Sequence, residues 1–252
     1  MMQQIDRDAV KQAFASYTAN YNAEDPKIKL KIDHTYRVAD LCDRISQTVS
    51  EVNSDLSWLS GMLHDIGRFE QIRRYNTFSD AESVDHAVLG ADLLFMDNLI
   101  DVFGSYNEHC KDVLETVIRN HNRFKIDEGL SDEYQAYCKI LRDADKIDII
   151  RVSYDTPPEE IYNVSSEELR RASVTEEVKQ GFIEKRAILR SVRHTPVDIL
   201  VSHISMLHEL EYPISIRIVR EQGYLAKLLD FKSDNPNTQD WFEYMRESMR
   251  GV

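Results

Sequence analysis

Apolar residues in this chain recur at spacings of three and four along most of its length, and stretches that alternate apolar with polar residues are scarce. That period places the apolar side chains of a helix on one face. Only eight glycines and six prolines interrupt it over 252 residues, so helices can run unbroken. The pattern predicts an all-α fold. Helices are expected near residues 5–21, 28–52, 55–66, 82–97, 106–121 and 131–153, and again near 175–192, 196–210, 214–230 and 238–249.

The pair Pro157-Pro158 stops the sixth of these segments, and a polar, acidic stretch follows through Glu168. This is the best internal boundary, and it divides an expected core domain, residues 1–155, from a C-terminal helical region, residues 156–252. In that region Ile199, Leu200, Ile204, Leu207 and Leu210 form a stripe that must pack on the core or on a second copy of the chain in a homodimer.

Hydrophobic residues make up 42% and charged residues 30%, a balance that supports a packed, water-soluble core. A formal net charge of −13 disfavours long nucleic acid as a ligand, because such binding needs a basic surface to displace counterions. A small phosphorylated substrate remains compatible, since a few basic side chains or a metal reverse the sign locally. No window approaches the roughly 18 apolar residues of a membrane span, and the N-terminal residues lack a secretory signal, so no membrane and a cytoplasmic location are expected. Cys42, Cys110 and Cys138 are widely spaced among apolar neighbours and are expected to be buried thiols.

On the second helix, Val38, Leu41, Cys42, Ile45, Val49 and Val52 trace an apolar face that His34 continues. A lone inward histidine is usually a hydrogen-bonded core residue. The third helix carries His64-Asp65 near its end, with Gly67 and Arg68 following. Neighbours on a helix differ by roughly 100° in direction, so both reach one ion only from a flank that borders a cleft. A carboxylate beside an apolar stripe is costly to bury unless it is paired or bound to a cation, which makes Asp65 the harder residue to explain structurally. His121 follows Val113, Leu114, Val117 and Ile118 inward, and His86 aligns with Leu89, Gly90 and Leu93, where Gly90 permits close approach of another backbone. Asp145 shares a side with Leu141 and Ile149, whereas Asp143 can lie on a different flank. Together His34, His64, Asp65 and Asp145 offer two nitrogens and two oxygens, a set suited to manganese, iron, cobalt, nickel or zinc rather than calcium.

DHTYRV, GMLHDIGRFE, HAVLGADLL, IRNH and LRDADKID, in this order over roughly residues 28–153, resemble the HD superfamily of metal-dependent phosphohydrolases. The resemblance implies a helical bundle that holds a divalent cation, magnesium included among the candidates, through His34, His64, Asp65 and Asp145. Members with extra histidines hold a second ion, and His86 and His121 occupy such places; the alternative is that these two line the cleft or meet substrate. One or two ions are therefore open. Such a cation makes hydroxide available near neutral pH and polarises a phosphoryl oxygen.

Asp65 would help orient the attacking water, while Arg68, Lys146, Lys31 and Arg37 would neutralise transition-state charge. Arg68 resembles the basic residue after HDIG in several members, and Lys146 the residue after the final Asp. Arg68-Phe69 stands where bifunctional alarmone hydrolases carry an acidic pair, which argues against that substrate. The implied activity is hydrolysis of a small phosphate ester, a nucleotide or related phosphomonoester. Alternatives are a cyclic nucleotide or dinucleotide phosphodiesterase, or a metal-holding sensor without turnover. His109, His194, His203 and His208 lie away from the motif residues and read as structural or solvated.

Overall fold

The computed structural model describes residues 4–50 and 52–250. Among them all regular secondary structure is helical, and no helix is long and apolar enough to cross a membrane. The chain forms two compact units, the first ending at Ala144 and the second starting at Asp145. The division falls within the residues of a helix, Asp132–Asp155, upstream of the Pro157-Pro158 break.

The first unit comprises α1 (Arg7–Thr18), α2 (Pro26–Ser46), α3 (Ser54–Leu63), α4 (Ile66–Tyr75), α5 (His86–Ala91), α6 (Ile100–Phe103), α7 (Glu108–Asn120) and the first half of α8 (Asp132–Asp155). Side-chain caps start most of them. Asp6, Asp25, Asn53, Asp85 and Asn107 each accept a bond from the first turn of the helix they precede, and Pro26 opens α2 where a missing N–H costs nothing. α2 stops at Ser46, short of the expected end near 52, and residue 51 of that expected helix lies outside the described residues. Leu56 through Leu63 are buried without exception, so α3 is enclosed on all sides. α2 and α3 touch closely: a methyl at Gly61 would lie 2.6 Å from Ala39 Cα.

The main departure from the sequence pattern is α4, which occupies residues beyond the expected third helix, 55–66, where no helix was expected. α3 ends at Leu63, and Asp65 (φ −103°, ψ 16°) turns the chain into a new helix. Ile66, Phe69 and Ile72 supply the apolar face of α4 at spacings of three, but Arg68, Glu70 and Gln71 are buried with them and hide the period. The start of α4 then lies against α5. A methyl at Gly67 would stand 2.1 Å from the His86 carbonyl oxygen and 2.6 Å from Gly90 N. Gly90 thus admits a neighbouring backbone, as its sequence context suggested.

The second unit holds the rest of α8, then α9 (Pro158–Ile161), α10 (Ser166–Arg171), α11 (Glu176–Ile183), α12 (Pro196–Ser205), α13 (Pro213–Gln222), α14 (Tyr224–Leu229) and α15 (Pro236–Ser248). α9 and α10 occupy the stretch read as a polar boundary. The single helix expected at 214–230 is broken at Gly223, whose φ of 71° is left-handed. α11 ends well before residue 192, with Lys185 at φ 53°. Leu200, Ile204 and Leu207 of the apolar stripe are buried, and Ile199 and Leu210 are half-buried. Beside them Asp198 is fully buried and accepts backbone N–H bonds from Thr175 (2.9 Å), His194 (3.0 Å) and Thr195 (3.1 Å), joining the starts of α11 and α12.

All three cysteines are free and buried. Burial raises the Cys110 thiol pKa and pushes that of Cys138 up to about 12.

The contact between Gly67 and the α5 backbone has nowhere to yield, because its neighbours are main-chain atoms. Gly67→Ala is expected to destabilise the protein by about 1–3 kcal/mol, the usual cost of overpacking. Gly129→Ala, with open space around the added carbon, is expected to stay within about 0.5 kcal/mol of the parent. Urea denaturation of the two variants checks this.

Candidate metal centre

Four imidazoles of the first unit converge on one carboxylate, that of Asp65. His34 comes from the middle of α2, His64 caps the end of α3, Asp65 begins α4, His86 opens α5, and His121 caps the end of α7. None is more than 5% exposed. The helix break at Asp65 answers the difficulty of two adjacent donors on one helix, because His64 and Asp65 belong to different helices.

The two oxygens of Asp65 face different partners. Oδ2 lies 3.5 Å from His34 Nε2, 3.4 Å from His64 Nε2 and 2.7 Å from Lys31 Nζ. Oδ1 lies 3.4 Å from His86 Nε2, 3.8 Å from His121 Nε2 and 3.8 Å from Arg68 Nε. Two donor triads result, His34-His64-Asp65 and Asp65-His86-His121, each compact enough to hold one ion. Between them the His64 and His121 rings meet edge to face at 5.2 Å.

Backbone and carboxylate acceptors set the ring orientations. His64 Nδ1 donates to the Gly61 carbonyl (2.8 Å), His121 Nδ1 to the Ile118 carbonyl (2.7 Å), and His86 Nδ1 to the Asp80 carboxylate (2.9 Å). With Nδ1 engaged in this way, each ring turns its Nε2 toward Asp65, and the neutral form of such a ring carries its lone pair there. The Nε2 atoms approach one another in pairs, with His64 and His34 Nε2 at 3.3 Å and His86 and His121 Nε2 at 3.0 Å.

The electrostatics favour an ionised Asp65 and a neutral His86. Burial alone would raise the Asp65 pKa, but the Lys31 ammonium, with His64 and His86, more than offsets it and holds the carboxyl well below the usual range. Burial, aided by the Arg68 guanidinium, lowers His86 and keeps its ring neutral against the pull of Asp80. Asp80 is held below the usual carboxylate range because the His86 bond and Arg68 outweigh its own burial.

This donor set suits a divalent cation: nitrogen lone pairs and an anionic oxygen, buried together. Residues 32–150 match the HD domain family. The segment is an HD domain. Its family is one of metal-dependent phosphohydrolases, and the His/Asp cluster fits an HD metal site. No curated protein matches the chain.

The remaining motif residues of the HD domain are placed as follows. Lys31 pairs with Asp65. Arg68 Nη1 donates to Gln71 Oε1 (2.7 Å), the Phe78 carbonyl (2.7 Å) and Asp80 Oδ1 (2.9 Å). Arg37 is half-buried one turn beyond His34. Asp145 and Lys146 belong to the second unit; Asp145 is half-buried, and Lys146 pairs with Glu209 at 3.0 Å.

On α8, Asp143, which the sequence allows on a different flank from Asp145, is fully buried, as is Asp148. α8 buries Cys138, Ile140, Leu141, Ala144, Ile147 and Ile150 around much of its girth, so an apolar neighbour at four residues does not single out one inward position. Outside the cluster, His109 is exposed and pairs with Glu133, His194 is exposed, His203 bonds Ser153 Oγ at 2.7 Å, and His208 packs edge-on against Phe182.

The sequence reading missed Asp80 and Gln71. Gln71 lay within the unrecognised α4, and Asp80 sits in a short 3₁₀ turn, Asp80–Glu82, where no periodicity marks a carboxylate as inward.

Lys31 supplies the positive charge nearest Asp65, so Lys31→Met is expected to destabilise the metal-free protein by about 3 kcal/mol, the scale of breaking a buried ion pair. A depressed carboxyl contributes stability above its unfolded pKa and loses it as pH falls through the folded one. Raising the Asp65 pKa toward the ordinary value should therefore move acid unfolding of the variant to higher pH. Saturating Mn²⁺ should narrow the gap to the parent. Melting in chelator and in Mn²⁺, across an acid series, tests all three expectations.

Proposed function

We propose that the chain is a phosphohydrolase whose HD domain holds two divalent ions about a shared Asp65, and that it acts on a small phosphate ester, a nucleotide or related phosphomonoester. The observation that carries the two-ion reading is the 3.0 Å approach of His86 and His121 Nε2 beside Asp65 Oδ1. Both rings donate through Nδ1, so two lone pairs face each other at a distance that only a cation or a proton between them makes favourable. The lowered His86 pKa disfavours the proton.

When bound, the ions supply a nucleophile at neutral pH and polarise the phosphoryl group. The chain's own residues do the rest. Asp65 divides its oxygens between the two triads. Arg68 Nε is buried and makes no hydrogen bond, which leaves a charged donor beside Asp65 Oδ1 for a phosphoryl oxygen. Lys31 provides a second cation on the Oδ2 side. The Phe78 ring lies within 5.5 Å of Lys31 Nζ and 5.7 Å of Arg68 Cζ, an aromatic surface beside both charges that suits a planar base. The depth of the donors favours a terminal phosphate over a polymer backbone, in keeping with the net charge of −13. Motif order adds Asp145 as a further carboxylate ligand and Lys146 as a further cation.

Metal analysis and phosphate-release assays test the reading. The parent is expected to hold two equivalents and to release phosphate from nucleoside monophosphates; Asp65→Ala should lose both ions, His121→Ala one, and Asp145→Ala at least one. Metal without phosphate release would favour the sensor, and preference for cyclic dinucleotides would favour the phosphodiesterase. An unchanged metal count in His121→Ala would sink the two-ion assignment.

A further inference from the structure

One carboxylate near the centre is neither a motif residue nor a member of either donor triad. Asp80 places both its oxygens 2.9 Å from His86 Nδ1, and its Oδ1 also accepts from Arg68 Nη1 (2.9 Å) and Gln71 Nε2 (3.0 Å). Gln71, fully buried, ties the same turn down through Ser83 Oγ (2.9 Å) and the Val84 carbonyl (3.0 Å). A single anion thus touches both a histidine whose Nε2 faces Asp65 and the guanidinium whose Nε lies 3.8 Å from the same Asp65 oxygen.

We propose that Asp80 is a positioning residue that sets two groups at once: it fixes His86 in the Nδ1–H tautomer with Nε2 turned to Asp65 Oδ1, and it anchors Arg68 so that Nε–H faces that oxygen. A neutral imidazole has two tautomers, and the acceptor at one nitrogen decides which is present. An imidazole that gives its N–H to a carboxylate is also the stronger donor at its other nitrogen, and such outer partners are worth about 10–100-fold in metal affinity. The effect of Asp80 on metal and substrate rests on the phosphohydrolase reading, whereas its hold on the His86 ring stands without it.

The test compares the parent with Asp80→Ala and Asp80→Asn. Nitrogen-15 NMR of labelled histidines in chelator is expected to show His86 as the Nδ1–H tautomer in the parent and as a mixture in Asp80→Ala. Calorimetric titration with Mn²⁺ should show one equivalent weakened by about 10–100-fold in Asp80→Ala and the other unchanged. The loss should be smaller in Asp80→Asn, which keeps an acceptor oxygen. KM should rise as Arg68 loosens.

If Asp80→Ala does not fold, Asp80→Asn carries the comparison by the same readouts. An unaltered His86 tautomer together with parental Mn²⁺ affinity would overturn the proposal. A parent that binds no metal or releases no phosphate would instead overturn the phosphohydrolase reading, while the ring spectra would still decide for or against Asp80.

Discussion

The first unit is organised around an ionised carboxylate buried where no carboxylate is stable alone. Asp65 is 2% exposed, and a charge so placed is costly unless it is paired. Lys31 stands on one side and Arg68 on the other, and four imidazoles turn nitrogen atoms toward it. Each partner comes from a helix whose position is set by apolar packing, so the burial that endangers the charge also assembles what stabilises it. The carboxylate is costly in isolation and well supported in place, which is the condition for a strong cation site.

Much of that arrangement was legible from residue spacing. His34 and His121 extend apolar faces by a full turn, so their inward direction follows from the helix period, and the structure buries both. Asp65 was conspicuous because a carboxylate beside an apolar stripe is costly to bury unless it is paired or bound to a cation. The helix break that separates it from His64 was not legible. RFEQIRRY falls outside every expected helix, yet Arg68, Glu70 and Gln71 are buried through polar contacts with Asp80, Tyr21 and Ser83. Asp80 was hidden for the same reason, since its partners lie six to twelve residues away across a turn. On α8, periodicity overreached: with residues buried around much of the helix, spacing alone did not show that Asp143 is also inside.

The break has a geometric use. His64 closes one helix and Asp65 opens the next, so two neighbours in sequence take directions that no continuous helix would give them. α4 is brought against α5 through Gly67 and Gly90, where each glycine leaves room for the other's main chain. That approach carries His86 to Asp65. The second triad therefore depends on two absent side chains as much as on the donors themselves.

The three thiols bear on which ions such a centre could take up. Sulfur is the softest donor in the chain, and an accessible thiolate would draw soft cations such as Cu(I) away from imidazole and carboxylate. Cys42, Cys110 and Cys138 are buried, and burial keeps the protons on Cys110 and Cys138. Thiolate is the binding and reactive form, so these sulfurs offer little competition. Selection of a divalent cation would then be left to the imidazole and carboxylate donors of the centre, a set of intermediate hardness.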